Sequence, residues 1–262
     1  AAVAAGVADV VAGGGVESMS RVPMSGFKLS PHPALLEEMP GAYMAMGHTA
    51  EQVARRCGVT REAQDRFAES SHRKAAAAQA AGKFAEEIVP VHAVRTFVGE
   101  DGRPRSETVV VREDENVRPD TTIDKLAALR PSFAASGTVT AGNASPFSDG
   151  AAALVVMSRD RADGMGLRPI AAFRAYAVAG LEPELMGLGP VEAVPKALTL
   201  ARLRPADVAL WEANEAFAAQ CVPVIDRLAL DPALVNVNGG AIALGHPLGC
   251  TGAKLTVTLL HE

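Results

Sequence analysis

The sequence predicts a layered α/β protein, on three observations. Short apolar runs end in glycine clusters, as where Asp9–Ala12 meets Gly13-Gly14-Gly15. From about residue 169 the pattern alternates strand, helix, strand, helix, strand, Gly-rich loop and helix. Hydrophobic residues make up 48% but aromatics only 4%, which suits tightly packed α/β layers better than an aromatic-rich β-sandwich. The 262 residues allow one large domain or two ordinary ones.

In chain order, Ala1–Gly6 reads as the tail of a helix. Asp9–Ala12 is a short buried strand that the three glycines end. Residues 21–43 carry four prolines and two glycines, the composition of a long surface excursion. Thr49–Cys57 is a helix stopped by Gly58. Thr60 is the N-cap of a second helix, with Glu62 and Asp65 in its first turn and Gly82 at its end. Ile88–Val98 and Thr108–Val111 read as strands around the turn Glu100-Asp101-Gly102. Arg112–Asp120 is charged loop. Thr122–Leu129 is a short helix ended ahead of Pro131.

Gly137–Ser145 is expected as a strand running into a polar turn, and Gly150–Ser158 as a central strand. Arg159–Leu167 is a surface helix, and a domain boundary is placed near Arg168-Pro169. Beyond it, Ile170–Val178 is a strand. Pro190 opens a helix to about Leu203. Val208–Glu212 is a strand that delivers Asn214. Glu215–Leu228 is a helix kinked at Pro223. Val235–Asn238 leads into a Gly-rich loop, and Thr251–Glu262 is the helix after it. Both ends of the chain look cut through helices, as in a fragment of a longer protein.

Net charge is −5 and no basic run resembles a nucleic-acid footprint. Cys57, Cys221 and Cys250 lie far apart without C-x-x-C spacing, which argues against a disulfide framework or a zinc site and for a reducing, cytoplasmic-type compartment. No apolar run reaches transmembrane length, and no signal peptide is visible.

The chemistry points to Asn236–Lys254. Five glycines lie there, and His246 sits between Gly245 and Pro247. A histidine held by rigid, side-chain-free neighbours is easily aimed and reached, as a general base must be. A buried turn with a hydrogen-bonded histidine fits the same spacing. Asn214 lies at the same expected sheet edge. An amide cannot titrate, so it would act by hydrogen bonding, toward a water or an oxyanion, or else as the N-cap of the following helix.

Four stretches resemble the thiolase family: Gly14-Gly-Val-Glu-Ser-Met-Ser20, Gly137–Ser145, Glu212-Ala-Asn-Glu-Ala-Phe-Ala218 and Asn236–Gly252. The resemblance implies two similar βαβαβαββ halves packed as αβαβα layers, with a loop domain inserted in the first. The division would be 1–20, the loop domain 21–136, its return 137–168, and a second half 169–262, with the first half incomplete. It implies CoA-dependent thiolysis of 3-ketoacyl-CoA, or the reverse Claisen condensation, with CoA and acyl-CoA as substrates and no permanently bound cofactor or metal. A homodimer or homotetramer is the implied assembly.

By motif, His246 would activate a nucleophilic cysteine and donate to the thioester oxygen, while Asn214 would hold the water completing the oxyanion hole. Ser145 resembles the serine that bonds the pantetheine arm, and Arg118 the arginine near the adenosine phosphate end. Met46, Phe133, Met186 and Phe217 resemble the pantetheine tunnel lining; ordinary core packing fits those four as well, and a solvated loop charge fits Arg118. The family's nucleophile would lie upstream of Gly14, and its second cysteine in a Cys-x-Gly-Gly-Gly segment beyond the last helix. None of the three cysteines here substitutes. Ala45, where acetoacetyl-specific members often carry histidine, and Cys250 tilt the resemblance toward the degradative 3-ketoacyl branch. A non-catalytic acyl-CoA or lipid-binding module and a ketoacyl-synthase-type condensing enzyme are the competing readings.

Overall fold

A computed structural model describes residues 1–262. Its secondary structure begins with β1 (Val10–Ser18), which pairs antiparallel with β4 (Asp149–Met157) over its whole length. Everything between those two strands leaves the sheet and returns to it. The excursion holds α1 (Pro33–Glu38), α2 (Met46–Cys57), α3 (Arg61–Ala80), the hairpin β2 (Val91–Val98) and β3 (Pro104–Val111), and α4 (Ile123–Ala127). After β4 come α5 (Arg159–Gly164), α6 (Gly189–Ala201), α7 (Ala218–Arg227), α8 (Ala241–Leu244) and α9 (Thr251–His261). No helix is long and apolar enough to cross a membrane.

The helices form where local chemistry provides ends for them. Thr60, Thr122 and Ser158 each accept a backbone N–H three residues on, closing the first turns of α3, α4 and α5. Gly58, left-handed at φ 68°, ends α2. The orphan carbonyls at the end of α4 are met from outside: Arg61 Nη2 donates to Leu126 O at 2.6 Å and Leu129 O at 2.9 Å. The 20-residue α3 is the element the others lean on, packing against α4, α7 and α8. Its alanines 68, 75 and 78 are buried, which lets those helices approach closely.

The structure corrects several expectations. Ala1–Gly6 forms turns rather than a helix. β1 does not end at the glycines but runs through them to Ser18. Glycine survives there because space demands it. A Cβ on Gly14 would collide with β4 at Ala152 and Ala153, and one on Gly15 would overlap the Gly249 carbonyl. Gly15→Ala should therefore push the loop before α9 away from the sheet and destabilise the chain by about 1–3 kcal/mol, as overpacking does. A urea unfolding midpoint equal to that of the unchanged chain would contradict this.

β4 is not a central strand. It has one partner, and Val155 and Val156 stand exposed. Gly137–Ser145, Ile170–Val178, Val208–Glu212 and Val235–Asn238 form no ladders. Apolar runs of this kind become strands only when a neighbour supplies hydrogen bonds along their length. Here just isolated bridges form: Pro131 with Thr140, Ala144 with Phe217, and Trp211 parallel to Val235. α7 starts at Ala218 with Phe217 as N-cap, so the capping role weighed for Asn214 falls away.

Candidate active site

The Trp211–Val235 bridge sets two loops side by side. Trp211 donates its N–H to Leu234 O, and Asn236 donates its own to Trp211 O. Asn236 then turns left-handed, at φ 46°, a conformation asparagine tolerates. Its side chain clamps Ala213, accepting from Ala213 N and donating to Ala213 O, both at 2.8 Å. That clamp fixes the residue just before Asn214. One residue further on, fully buried Glu215 accepts from Ser71 Oγ (2.6 Å), Asn236 Nδ2 (2.8 Å) and Ile242 N (3.2 Å). Burial raises its carboxyl. Through Ser71 and Ile242, Glu215 ties α3 to α8 and so to the loop that follows α8.

That loop carries His246. Gly245, at φ 93°, reverses the chain after α8 in a backbone region that a side chain would strain; a Cβ would also collide with Ser148. His246 N donates to Ser148 Oγ (3.2 Å), which donates in turn to Pro146 O (2.9 Å).

The ring is held at both nitrogens. Nδ1 lies 2.7 Å from Thr251 Oγ1, and Thr251 donates its single hydroxyl proton to Pro247 O at 2.9 Å. Nδ1 must therefore carry the proton and donate to Thr251. Nε2 is left with its lone pair, 3.2 Å from Asn214 Nδ2, which donates to it. Burial, with a smaller contribution from Lys254, lowers the imidazole's pKa, so the ring rests neutral at pH 7. The arrangement is a neutral base of fixed tautomer, aimed by one amide. Asn214 Oδ1, also buried, has no protein partner.

The other expected residues lie in two groups. Ser145 N donates to Ala216 O at 2.9 Å, which sets Ser145 against the segment bearing Asn214. Phe217 meets Phe133 edge to face at 6.0 Å, and the Phe133 ring lies against Gly47, next to Met46. Met186 is half exposed on the 3-10 turn Pro183–Leu188, which packs against α2 and α7.

Arg118 stands elsewhere, exposed at a cavity of about 260 Å³ walled by His72, Asn116, Lys125, Leu126 and Ala144. Ala144 and Pro146 bring that cavity to the neighbours of Ser145.

None of the three thiols makes a hydrogen bond from its sulfur to the His246 imidazole. Burial raises Cys221 strongly and Cys250 to a lesser degree. Cys57 is the last residue of α2, where it accepts from Arg227. No three His, Cys, Asp or Glu side chains are gathered as a metal ion would need.

Thr251, Ser148 and Glu215 were not singled out from the sequence. Thr251 left a signal, a hydroxyl in the first turn of the helix after the histidine. Ser148 and Glu215 act through contacts too distant in sequence to leave one.

The family model described as thiolase, N-terminal domain, matches residues 1–160, and that of the thiolase C-terminal domain matches residues 167–262. Over 257 residues the chain is 57% identical to a 3-ketoacyl-CoA thiolase of Bacillus subtilis, covering 98% of this chain and 66% of the relative. It is 46% identical to an acetyl-CoA acetyltransferase of Cupriavidus necator, covering 100% of this chain and 67% of the relative. Among solved structures it resembles the dimeric peroxisomal thiolase of Saccharomyces cerevisiae with TM-score 0.87 and 38% identity, covering all of this chain and 64% of that one. The acetyl-CoA acetyltransferase of Bacillus anthracis superposes with TM-score 0.85 and 42% identity, covering all of this chain and 67% of that one. The fold is thus the layered one of those structures, and the chain spans about two thirds of its relatives' length.

Proposed function

The chain belongs to the thiolase family, and on that premise we propose that it carries the acid–base and oxyanion half of a CoA-dependent acyl-transfer site. The observation that bears most weight is the imidazole locked at Nδ1 by Thr251 with its Nε2 lone pair turned to Asn214. A module that merely binds acyl-CoA has no use for a tautomer fixed this way; a base does.

In this reading the Asn214 amide gives up its bond to His246 Nε2, a cysteine thiol outside the three seen here loses its proton to that freed lone pair, and the thiolate adds to the 3-keto carbon of a 3-ketoacyl-CoA. The carbonyl oxygen, now an oxyanion, takes hydrogen bonds from Nε2–H and from a water whose own proton is held by Asn214 Oδ1. When the oxyanion collapses, the bond between the 2- and 3-carbons breaks. Acetyl-CoA leaves once its carbanion is protonated, and free CoA takes the acyl group from the cysteine. Run backwards, the site condenses two acyl-CoA molecules.

Ser145, Met46, Phe133, Met186 and Phe217 are proposed to hold the pantetheine arm, and Arg118 the phosphate end at the 260 Å³ cavity. The wall contributed by Ala144 and Pro146 supports that assignment, since it joins the cavity to Ser145's loop. The antiparallel return of β4 onto β1 supports dividing the chain at 20, 136 and 168, with residues 21–136 as the inserted loop domain. The higher identity to a relative named 3-ketoacyl-CoA thiolase than to one named acetyl-CoA acetyltransferase supports the degradative branch. The yeast neighbour is a dimer, which supports self-association here.

The test joins two measurements on acetoacetyl-CoA and a longer 3-ketoacyl-CoA. The 262-residue chain is expected to show no thiolysis, because the partners of its His246 ring are Asn214 and Thr251 and no thiol is among them. A chimera that replaces the matching 257 residues of the Bacillus subtilis relative with this chain is expected to turn over. Turnover by the chain alone would mean one of its own cysteines is the nucleophile. A folded but inert chimera would sink the proposal.

A further inference from the structure

Besides His72 of α3 and Ile242 of α8, three pieces of chain wall the cavity beside Arg118: α4, the turn around Asn143, and the turn holding Arg118 itself. One stripe of α3 is bonded to all three. At ~100° per residue, positions 61, 65 and 72 fall within an arc of ~40°. Arg61, on the first of them, holds the carbonyls at the end of α4, as described above, and also donates from Nε to Asp65 Oδ2 at 2.7 Å. Asp65, only 2% exposed, accepts with Oδ1 from Asn143 Nδ2 at 2.9 Å. Asn143 reaches on to the segment that carries Asn214, since its carbonyl accepts from Ala218 N. His72, 6% exposed, accepts with Nδ1 from the backbone N–H of Arg118 at 3.2 Å.

We propose that this stripe is the positioning device of the cavity, and that His72 is its fastener for the anionic end of coenzyme A, setting the turn from which the Arg118 guanidinium meets phosphate. The inference rests on the reading of that cavity given above. The phosphate end's geometry is thereby assigned to a wall residue through the bond its Nδ1 accepts from backbone.

Chemistry makes the role specific to one ring nitrogen. Nδ1 can accept only from a neutral imidazole with its proton on Nε2. The charged groups facing the ring come from outside α3: Arg118 and Asp120 from the turn, and Lys125 from α4 across the cavity. Burial, then Arg118, lowers the imidazole's pKa, which keeps it in the accepting form at neutral pH.

Two variants of similar size and polarity separate positioning from packing. Asparagine can place its Oδ1 where Nδ1 stood; glutamine places its oxygen where Nε2 stood. In the 262-residue chain at pH 7.5, H72N should bind CoA within about twofold of the unchanged protein by calorimetry. H72Q should bind it roughly fivefold to tenfold more weakly, in keeping with one lost hydrogen bond. Amide hydrogen exchange, read without CoA, should show the Arg118 N–H protected in the unchanged chain and in H72N, and exchanging faster in H72Q. Equal CoA affinity and equal Arg118 protection in H72N and H72Q would overturn the proposal. Failure of the unchanged chain to bind CoA would instead overturn the reading of the cavity, and Arg118 exchange would still decide the fastening.

Discussion

His246→Ala, in the chimera that supplies a nucleophile, is expected to lower kcat by at least ~10³-fold, because in the proposed mechanism one side chain serves two steps. A lost general base typically costs ~10²–10⁴ and a lost oxyanion donor ~10²–10³. The two do not simply multiply when both belong to one ring. KM for CoA should change little, since the cavity at Arg118 is walled by other residues. Asn214→Ala should cost ~10²-fold or somewhat more, the share of one donor site. Thr251→Val keeps the ring but removes the group that accepts from Nδ1–H, and its kcat should fall between those of Asn214→Ala and the unchanged chimera. The pH profile gives an independent sign. A base whose pKa is lowered by burial stays neutral through the usual imidazole range. The rate should therefore fall on the acid side at a lower pH than a free imidazole would set. A His246→Ala chimera within tenfold of its parent, or a rate already falling above pH 7, would remove His246 from the chemistry.

How much of this was legible in the sequence depends on how far each cause reaches along the chain. Helix ends are local, and they were readable: Thr60, Thr122 and Ser158 cap the helices that follow them, and Gly58 ends α2. That His246 and Asn214 lie together could be expected as well, because both fall at one expected edge of the second half, and the structure sets them 3.2 Å apart. Strands were not readable. The apolar runs at 170–178 and 208–212 have the composition of strands, but a ladder is a property of two segments, and only Trp211 finds a bridge partner. The glycines of β1 misled for a similar reason. They read as a turn locally, whereas Gly14 and Gly15 answer to β4 and to Gly249. Ser148, Glu215 and His72 escaped notice because their partners are remote: Ser148 bonds His246 across 98 positions and His72 bonds Arg118 across 46.

Glu215 is the residue on which stability and site geometry meet. Glu215→Ala is expected to cost about 3–5 kcal/mol, a large share of the ~5–15 kcal/mol that holds a typical domain folded. The side chain is fully buried and three donors end on it. Truncation leaves the Ser71 hydroxyl, the Asn236 amide and the Ile242 N–H unpaired in a dry site, each costing ~1–3 kcal/mol if it finds no other partner, and opens a cavity besides. Glu215→Gln tests whether the donors matter more than the volume. Its amide offers one oxygen where two acceptors are needed. Either the NH₂ faces Ser71 and Ile242, or it faces Asn236, and a donor meets a donor in both orientations. Of the two, facing Asn236 spoils one bond rather than two, so glutamine should settle that way, at a cost of about 2 kcal/mol. Were volume the controlling factor, glutamine would be nearly neutral. Guanidinium unfolding of the three chains decides between these, with a midpoint for Glu215→Ala close to the unchanged one as the result that would refute the argument. The same substitution reaches the site. With Asn236 paired poorly, its hold on Ala213 loosens, and Ala213 is the residue that aims Asn214 at His246. A folded Glu215→Gln chimera should therefore lose kcat while keeping its affinity for CoA.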